Sequence, residues 1–334
     1  QPKLYPSLEE ALPAQILNSA LDQHGATLLA LLGRLPAIVE VPVLDWAPHG
    51  LGQRFASLYA NALWHMVASF ATQDSPTIRL YTLIALYLPS LVLHDRATNR
   101  ACETSPAVSH RASINSRLRQ AESGQWIQLA DSLLRAHLDR DPNKEHKEAL
   151  WTTKCMRAAQ RSLAGGWGIA FRSLHANQCP PDNAETFQKV CEKFHTEIPN
   201  PDERKELTTL CNKAIRTASR KADDKVTLAK VDKRLRSLKK AAQPGNVKGK
   251  NTHLFALLKA PFGKQVIRMW ALAWIKGEVP QQAVDIWTRG YVKPLSKKGG
   301  SGVRPISLFE TCLKVATGVA LDVSKSDIIN GVGA

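Results

Sequence analysis

The chain has 334 residues, of which 44% are hydrophobic, so it can bury a real core and has room for two or three domains. Its six cysteines show no CxxC pair, which excludes a disulfide-stapled scaffold and favours an intracellular protein, nuclear or cytoplasmic. The net charge of +16 lies in the second half: residues 1–150 carry 13 Lys and Arg against 14 Asp and Glu, and residues 151–334 carry 32 against 15. This basic half favours a polyanionic partner, with a merely soluble basic surface as the alternative.

Residues 1–142 predict a neutral helical leader domain. Helical spacing of apolar residues predicts helices at 7–35, 51–70, 112–122 and 125–138. The apolar run Leu80–Leu93 is 14 residues long and contains Pro89. Because a bilayer span needs ~20 residues, this run predicts a buried helix and no membrane partner.

Residues 143–242 predict a basic helical segment. Its last part, Glu203–Ala242, is expected to form one or two charged helices with a narrow apolar stripe at Leu228, Val231, Leu235 and Leu238. Cations crowd the other faces and are candidates for contacts with a nucleic-acid backbone: Lys230, Lys233, Arg234, Lys239 and Lys240. The alternative is the solvated face of an ordinary surface helix. Residues 243–251 predict a linker.

Residues 252–334 have a different pattern. Two helices, at 252–259 and 262–276, are predicted to precede a strand at Gly290–Leu295, a glycine-rich turn at Lys297–Gly302, a strand at Val303–Ile306 and a helix from about Leu308 to Ala320. Ser307 and Glu310 have the spacing of a capping box for that last helix. Four cations fall on the hairpin, where they suit a triphosphate or a nucleic-acid backbone: Lys293, Lys297, Lys298 and Arg304. A merely structural hairpin with a basic tip is the alternative.

The order of residues in this region is a more specific signal of the protein family than its composition. Trp287-x-x-Gly-x-Val-x-Pro-Leu-x-Lys-Lys-Gly, followed by Val-Arg-Pro-Ile-Ser-Leu and a helix with Lys314, resembles the start of reverse transcriptase domains. The likeness is to those of non-LTR (LINE-type) retrotransposons, and it covers about 265–320. More loosely it reaches upstream to Leu80–Leu93 and Gly124-Gln-Trp126. The resemblance implies a mainly α fold, in which helical leader domains precede a short β-hairpin and a helix of the fingers.

In this family the fingers hairpin folds over the incoming nucleotide. The resemblance implies that Lys297 or Lys298, together with Arg304, holds the triphosphate. It also implies that Lys293 is a template or phosphate neighbour and that Lys314 contacts the backbone. The implied partners are an RNA template, DNA and, in the complete enzyme, a nucleoside triphosphate.

Catalysis in this family requires the paired aspartates of a palm domain, which bind two Mg²⁺ ions. No Tyr/Phe-x-Asp-Asp sequence is present, Asp223-Asp224 precedes the fingers, and Asp322 and Asp327 follow them too closely. We therefore expect the N-terminal part of a reverse transcriptase, truncated before its palm and inactive by itself. It is expected to have no catalytic residue, metal site or cofactor of its own, with Mg²⁺ implied for the complete enzyme. The alternatives are a non-catalytic basic helical nucleic-acid-binding protein and a helical interaction scaffold.

Overall fold

The computed structural model describes residues 14–36, 39, 41–94, 106–138, 222–238, 246–296, 303–308 and 310–332, with isolated positions between 185 and 220. Most of these residues are helical, which confirms the predicted mainly helical fold. The chain divides into two compact units. Unit 1 comprises Gln1–Leu138, Asn200–Gly290 and Phe309–Ala334, and unit 2 comprises Asp139–Pro199 and Tyr291–Leu308.

Ten of the described helices belong to unit 1. They are α1 (Ala14–Gly33), α2 (Gly52–Ser69), α3 (Ser75–Leu93), α4 (Pro106–Glu122), α5 (Trp126–Leu138), α6 (Leu228–Arg236), α7 (Asn251–Ala256), α8 (Gly263–Lys276), α9 (Gln281–Trp287) and α10 (Thr311–Val332). A short 3₁₀ helix, Leu257–Lys259, follows α7 directly. The two strands of unit 2 are β1 (Tyr291–Ser296) and β2 (Val303–Leu308).

Helix α3 lies in the core of unit 1. Its N-terminus is fixed by Asp74, whose carboxylate accepts the backbone N–H of Thr77 at 3.0 Å. Every residue of Leu80–Leu93 is buried, as the sequence predicts. Among the described helices, α3 alone is long and apolar enough to cross a membrane, but 83% of its apolar window is buried inside the protein. A core helix meets the same length and composition criteria, so burial accounts for its apolar character.

Aromatic side chains join the early and late parts of unit 1. The ring centroids of Trp270 on α8 and Trp287 on α9 are 5.2 Å apart, and Phe70, which follows α2, lies 6.3 Å from Trp270. The indole N–H of Trp287 donates to the sulfur of Met66 on α2 at 3.3 Å. The sequence predicts separate regions at 1–142 and 252–334, whereas residues 1–138, 252–290 and 309–334 fall in the same compact unit. The reason is that their apolar helix faces cover each other.

The predicted linker at 243–251 differs most from the structure. In its described part, Asn246 and Val247 are only 7% and 3% exposed. The carbonyl of Asn246 accepts the N–H of Val39 at 2.9 Å, and the N–H of Val247 donates to the carboxylate of Glu310 at 3.1 Å. The described residues 246–251 are therefore packed within unit 1 and do not form a flexible spacer.

Helix ends in the second half also depart from the sequence predictions. Helix α6 begins at Leu228 with Thr227 as its N-cap, because the backbone leaves the helical conformation at 226–227. Helix α9 was not expected from the sequence. Helix α10 begins at Thr311 rather than near Leu308 and ends at Val332. Glu310 therefore lies before α10 and is not the third residue of a capping box.

In unit 2, β1 and β2 pair as an antiparallel two-stranded sheet. The register matches Tyr291 with Leu308 at one end and Ser296 with Val303 at the other. Pro294 pairs with Pro305 at the centre, where neither residue has an N–H to donate. Residues 297–302 connect the strands and lie outside the described residues.

Candidate nucleic-acid interface

The hairpin brings two of the predicted cation positions together. Leu295 pairs with Arg304 and Lys293 pairs with Ile306, so Lys293 and Arg304 stand two ladder positions apart. The antiparallel ladder fixes this spacing through its backbone hydrogen bonds. The other two predicted residues, Lys297 and Lys298, belong to the connection outside the described residues.

Helix α6 carries the second group of predicted cations. Val231 and Leu235 are fully buried, whereas Leu228 is 40% exposed and Leu238 only partly covered, so the buried stripe is narrower than predicted. Of the cations, Lys233 is exposed and Lys230 half-buried. Neither lysine has an ion-pair partner in the part of the chain that the structure describes. Their ammonium groups are therefore not neutralised by a carboxylate among the described residues, and Lys233 is the more exposed of the two.

Much of the remaining positive charge near α6 is paired internally. The guanidinium of Arg236 contacts the carboxylate of Asp232 at 2.6 Å, and the ammonium of Lys264 reaches the same carboxylate at 3.3 Å. The hydrogen bond from Arg236 is the main cause that lowers the pKa of Asp232. Lys276 pairs with Asp223 at 2.5 Å. Charge counted from the sequence thus overstates the cations that are free to meet phosphate.

Arg234 has a different role from the predicted phosphate contact. Its guanidinium lies across α10 at Gly318, where an added Cβ would stand 2.1 Å from Nη2. Nη1 is 4.0 Å from a carboxylate oxygen of Asp322. The residue is half-buried, and its Nε has no hydrogen-bond partner among the described residues. Arg234 therefore packs α6 on α10. Lys239 and Lys240 lie outside the described residues.

Lys314, the predicted helix-borne backbone contact, is half-buried on the first turn of α10. Burial lowers the pKa of its ammonium, while the carboxylate of Glu310 raises that pKa. A partly desolvated lysine beside a carboxyl group is a weaker phosphate ligand than an exposed one. Lys314 belongs to unit 1, whereas Lys293 and Arg304 belong to unit 2.

Glu310 is the polar residue whose role the sequence did not indicate. It is 2% exposed, and burial raises the pKa of its carboxyl group to about 7, although hydrogen bonds from the N–H groups of Val247 and Asn246 act in the opposite direction. Next to it, the hydroxyl of Thr311 donates to the carbonyl of Gly249 at 2.7 Å. These bonds hold the 246–249 backbone at the start of α10. The spacing from Ser307 is a misleading signal, because Glu310 bonds a distant segment and not its own helix.

Among the described residues, no group of three His, Cys, Asp or Glu could hold a metal ion. The one described cysteine, Cys312, is a buried free thiol, and burial raises its pKa to about 12. Such a thiol is protonated at neutral pH and serves as a core residue. Each unit thus has its own group of candidate cations, on the hairpin in unit 2 and on α6 in unit 1, and each group by itself suits anion binding.

Comparison of the chain with protein families, with curated proteins and with solved structures finds no match. The likeness to reverse transcriptases therefore rests on the sequence pattern around 287–314 and on the positions of its cations.

Proposed function

We propose that this chain is the N-terminal part of a non-LTR retrotransposon reverse transcriptase and that it binds nucleic acid through the hairpin Tyr291–Leu308. The observation that carries the proposal is the strand register, with Lys293 and Arg304 two ladder positions apart. Lys297 and Lys298 lie on the six-residue connection between the same strands. Four cations on so short a stretch suit closely spaced phosphates, since lysine and arginine both form charge-assisted hydrogen bonds with phosphate oxygens.

Helix α6, in unit 1, provides a second and weaker group of candidate contacts. Lys233 is exposed and Lys230 is half-buried, and both lie on a helix whose other cations are engaged within the protein. Exposed lysines contribute mainly a sequence-independent attraction to phosphate, which salt screens. We assign these two lysines to the nucleic-acid backbone and assign Arg234 to helix packing.

The proposal concerns binding. Nucleotidyl transfer belongs to the complete enzyme, in which palm carboxylates would hold Mg²⁺ to activate the primer hydroxyl and stabilise the leaving pyrophosphate. In that enzyme Arg304 and Lys297 or Lys298 would hold the triphosphate of the incoming nucleotide. The residues of this chain supply the positive charge that orients phosphates before the reaction.

The second candidate is a non-catalytic basic helical nucleic-acid-binding protein. It is favoured by Lys230 and Lys233 of α6, which have no ion-pair partner among the described residues. These lysines need no fingers hairpin to contact a phosphate backbone. The two candidates differ in where binding energy is located. If the chain is part of a polymerase, most of the binding energy should come from the hairpin cations. If it is a general basic nucleic-acid-binding protein, the binding energy should be distributed over the second half of the chain.

Fluorescence anisotropy with a labelled single-stranded RNA at ~100 mM salt separates these candidates. The variant with Lys293, Lys297, Lys298 and Arg304 all changed to Ala is expected to bind about tenfold more weakly than the wild type. The control removes the same number of charges from exposed arginines of the neutral half: Arg34, Arg79, Arg111 and Arg119. The control is expected to keep its affinity within about threefold, since long-range effects of surface charges are screened at this salt concentration. Equal losses in the two variants would contradict the hairpin assignment and leave the second candidate.

A further inference from the structure

Unit 1 contains a cavity of about 430 Å³ between α2 and the turn that joins α4 to α5. One face of α2 forms its long wall, with Gln53, Ser57, Asn61 and His65 on successive turns. The opposite wall includes Trp126, the first residue of α5. Gln53 is exposed, whereas His65 and Trp126 are each only 1% exposed. The cavity thus leads from solvent to a buried floor, and its volume is in the range of sites for small molecules.

Three side chains that line this cavity carry polar atoms without a hydrogen-bond partner. They are Oδ1 of Asn61, Nδ1 of His65 and Nε1 of Trp126, and all three atoms are shielded from solvent. A buried polar atom left unpaired costs about 1–3 kcal/mol. Eight other buried side-chain atoms of the described residues are also unpaired, but these three belong to side chains that line one cavity, which is a second feature, independent of its shape, that points to a ligand.

The charged groups of the cavity wall neutralise each other. The guanidinium of Arg54 bonds both carboxylate oxygens of Glu122, at 3.0 and 2.5 Å, and donates to the amide oxygen of Asn115 at 2.6 Å. These bonds occupy the guanidinium, and the neighbouring carboxylate disfavours an anion. A phosphate group therefore does not fit this wall.

The floor is neutral as well. The ring of His65 stacks on Tyr81 with centroids 5.5 Å apart and 9° between the ring planes. Burial lowers the pKa of His65 to about 4, so its imidazole is uncharged at neutral pH. Leu58 and Ala62 supply the apolar part of the wall. Such surroundings favour a neutral ring that offers hydrogen-bond donors and acceptors on its edge.

We infer that this cavity binds an adenine ring, supplied by a free nucleoside or by an unpaired base of a strand. The amide of Asn61 is the group that carries the assignment, because an asparagine amide matches the N6 donor and N7 acceptor of adenine. The terminal torsion of asparagine is broad, so a rotation of the amide turns it toward the cavity. The indole and imidazole at the floor complete a partly aromatic pocket for a planar heterocycle. This inference concerns helices α2–α5 and does not depend on the hairpin.

Isothermal titration calorimetry of the full chain with adenosine tests the inference. We expect saturable binding, with an affinity at least about tenfold lower for purine riboside, which lacks the N6 amino group. Adenosine monophosphate is expected to bind more weakly than adenosine because the cavity wall carries the carboxylate of Glu122. An oligoadenylate distinguishes the two sources: preferential binding of the oligomer identifies a base within a strand. Absence of saturable binding with both adenosine and the oligomer would overturn the inference.

The variant Asn61→Leu separates ligand binding from folding. Removing the unpaired Oδ1 of the half-buried Asn61 is expected to leave the melting temperature of the ligand-free protein unchanged or higher, while adenosine binding falls at least tenfold. Trp126→Phe removes the indole N–H at the floor and is also expected to weaken binding. Trp274→Phe is its control, since Nε1 of Trp274 is equally unpaired but lies outside the cavity.

Wild-type affinity for adenosine in Asn61→Leu would overturn the assignment. The hairpin variant with four alanines is expected to bind adenosine as the wild type does. The adenosine measurements therefore test the adenine site alone, and the RNA measurements test the hairpin proposal alone.

Discussion

Two buried titratable residues, His253 and Glu310, hold non-helical backbone of unit 1 in place. Nε2 of His253 lies 2.8 Å from the carbonyl oxygen of Leu44 and donates to it, while Nδ1 accepts the N–H of Lys250 at 3.1 Å. The imidazole therefore serves as an acceptor only in its neutral form. Glu310 accepts the N–H of Val247. Both side chains act on segments far away in the sequence, and both make stability depend on pH.

Replacing His253 by Gln is expected to reduce the loss of stability in acid. Burial lowers the pKa of His253 from 6.5 to about 4, so its contribution is present above pH 6.5 and is lost as pH falls through 4. Glutamine at the third helical position keeps a bond to the N-cap N–H and does not titrate. Between pH 7 and 4, the free energy of unfolding should shift in favour of the variant by roughly 3 kcal/mol. Denaturant titrations measure this shift.

The exposed His49, changed to Gln, provides the matched control for that measurement. Its difference from the wild type should stay nearly constant with pH. A constant difference for His253→Gln as well would show that the buried imidazole does not control acid stability.

For Glu310 the dependence of stability on pH has the opposite sign to that of His253. Burial raises its pKa from 4.5 to about 7, so the stability that it contributes is present below pH 4.5 and is lost as pH rises through 7. Glu310→Gln keeps an acceptor for the N–H of Val247 without a charge. From pH 4.5 to 8 the unfolding free energy of this variant should gain roughly 3 kcal/mol relative to the wild type. Exposed Glu278, changed to Gln, should show no such trend, and a flat profile for Glu310→Gln would disprove the assigned pKa direction.

At the scale of elements, local sequence signals located the helices well where apolar spacing and a terminating residue coincide. Helix α2 spans Gly52–Ser69 where 51–70 was expected, and α8 ends at Lys276 with Gly277 as its C-cap, which has φ of 69°. Helix α9 was missed because its seven residues are too few to show a clear period. The start of α10 was misplaced because the capping residues Ser307 and Glu310 have a local spacing that long-range contacts override.

Gly263 decides how α8 begins. A Cβ at this position would stand 2.1 Å from the backbone carbonyl oxygen of Leu257, and backbone cannot move as a flexible side-chain end does. Gly263→Ala is therefore expected to lower the unfolding free energy by about 1–3 kcal/mol, although alanine is the better helix former. The control Gly52→Ala meets nothing within 4 Å and should be neutral or stabilising. Equal effects of the two substitutions on urea unfolding would contradict the close approach.

At the scale of the whole molecule, the sequence did not show which apolar faces pair. The hydroxyl of Ser90 bonds the carbonyl of Val247, a contact between residues 157 positions apart for which no local pattern exists. The packing of Arg234 over Gly318 is equally invisible in the sequence, and it removed one residue from the predicted site. The hairpin cations could be proposed because a motif fixes their positions in the chain, and their role in binding stays a prediction.

Unit 1 should therefore unfold as one body. Trp287 is 2% exposed and reaches Met66 on α2, so Trp287→Ala is expected to cost about 3–5 kcal/mol. Hydrogen exchange should show lost protection in α2 and α3 as well as in α8 and α9. Loss confined to residues 252–290 would instead indicate independent domains. The exposed Trp46, changed to Ala, is the control and should leave protection of α2 and α3 unchanged.

The salt dependence of single-stranded RNA binding tests the proposed nucleic-acid function most directly. Each phosphate contact adds about 0.7 to the slope of log Kd against log salt concentration for a single strand. The wild type should bind at ~50 mM salt with a slope that corresponds to several contacts. Changing Lys293, Lys297, Lys298 and Arg304 to Ala should reduce that slope by about two to three. Negligible binding at low salt, or a slope that the hairpin variant leaves unchanged, would contradict the account.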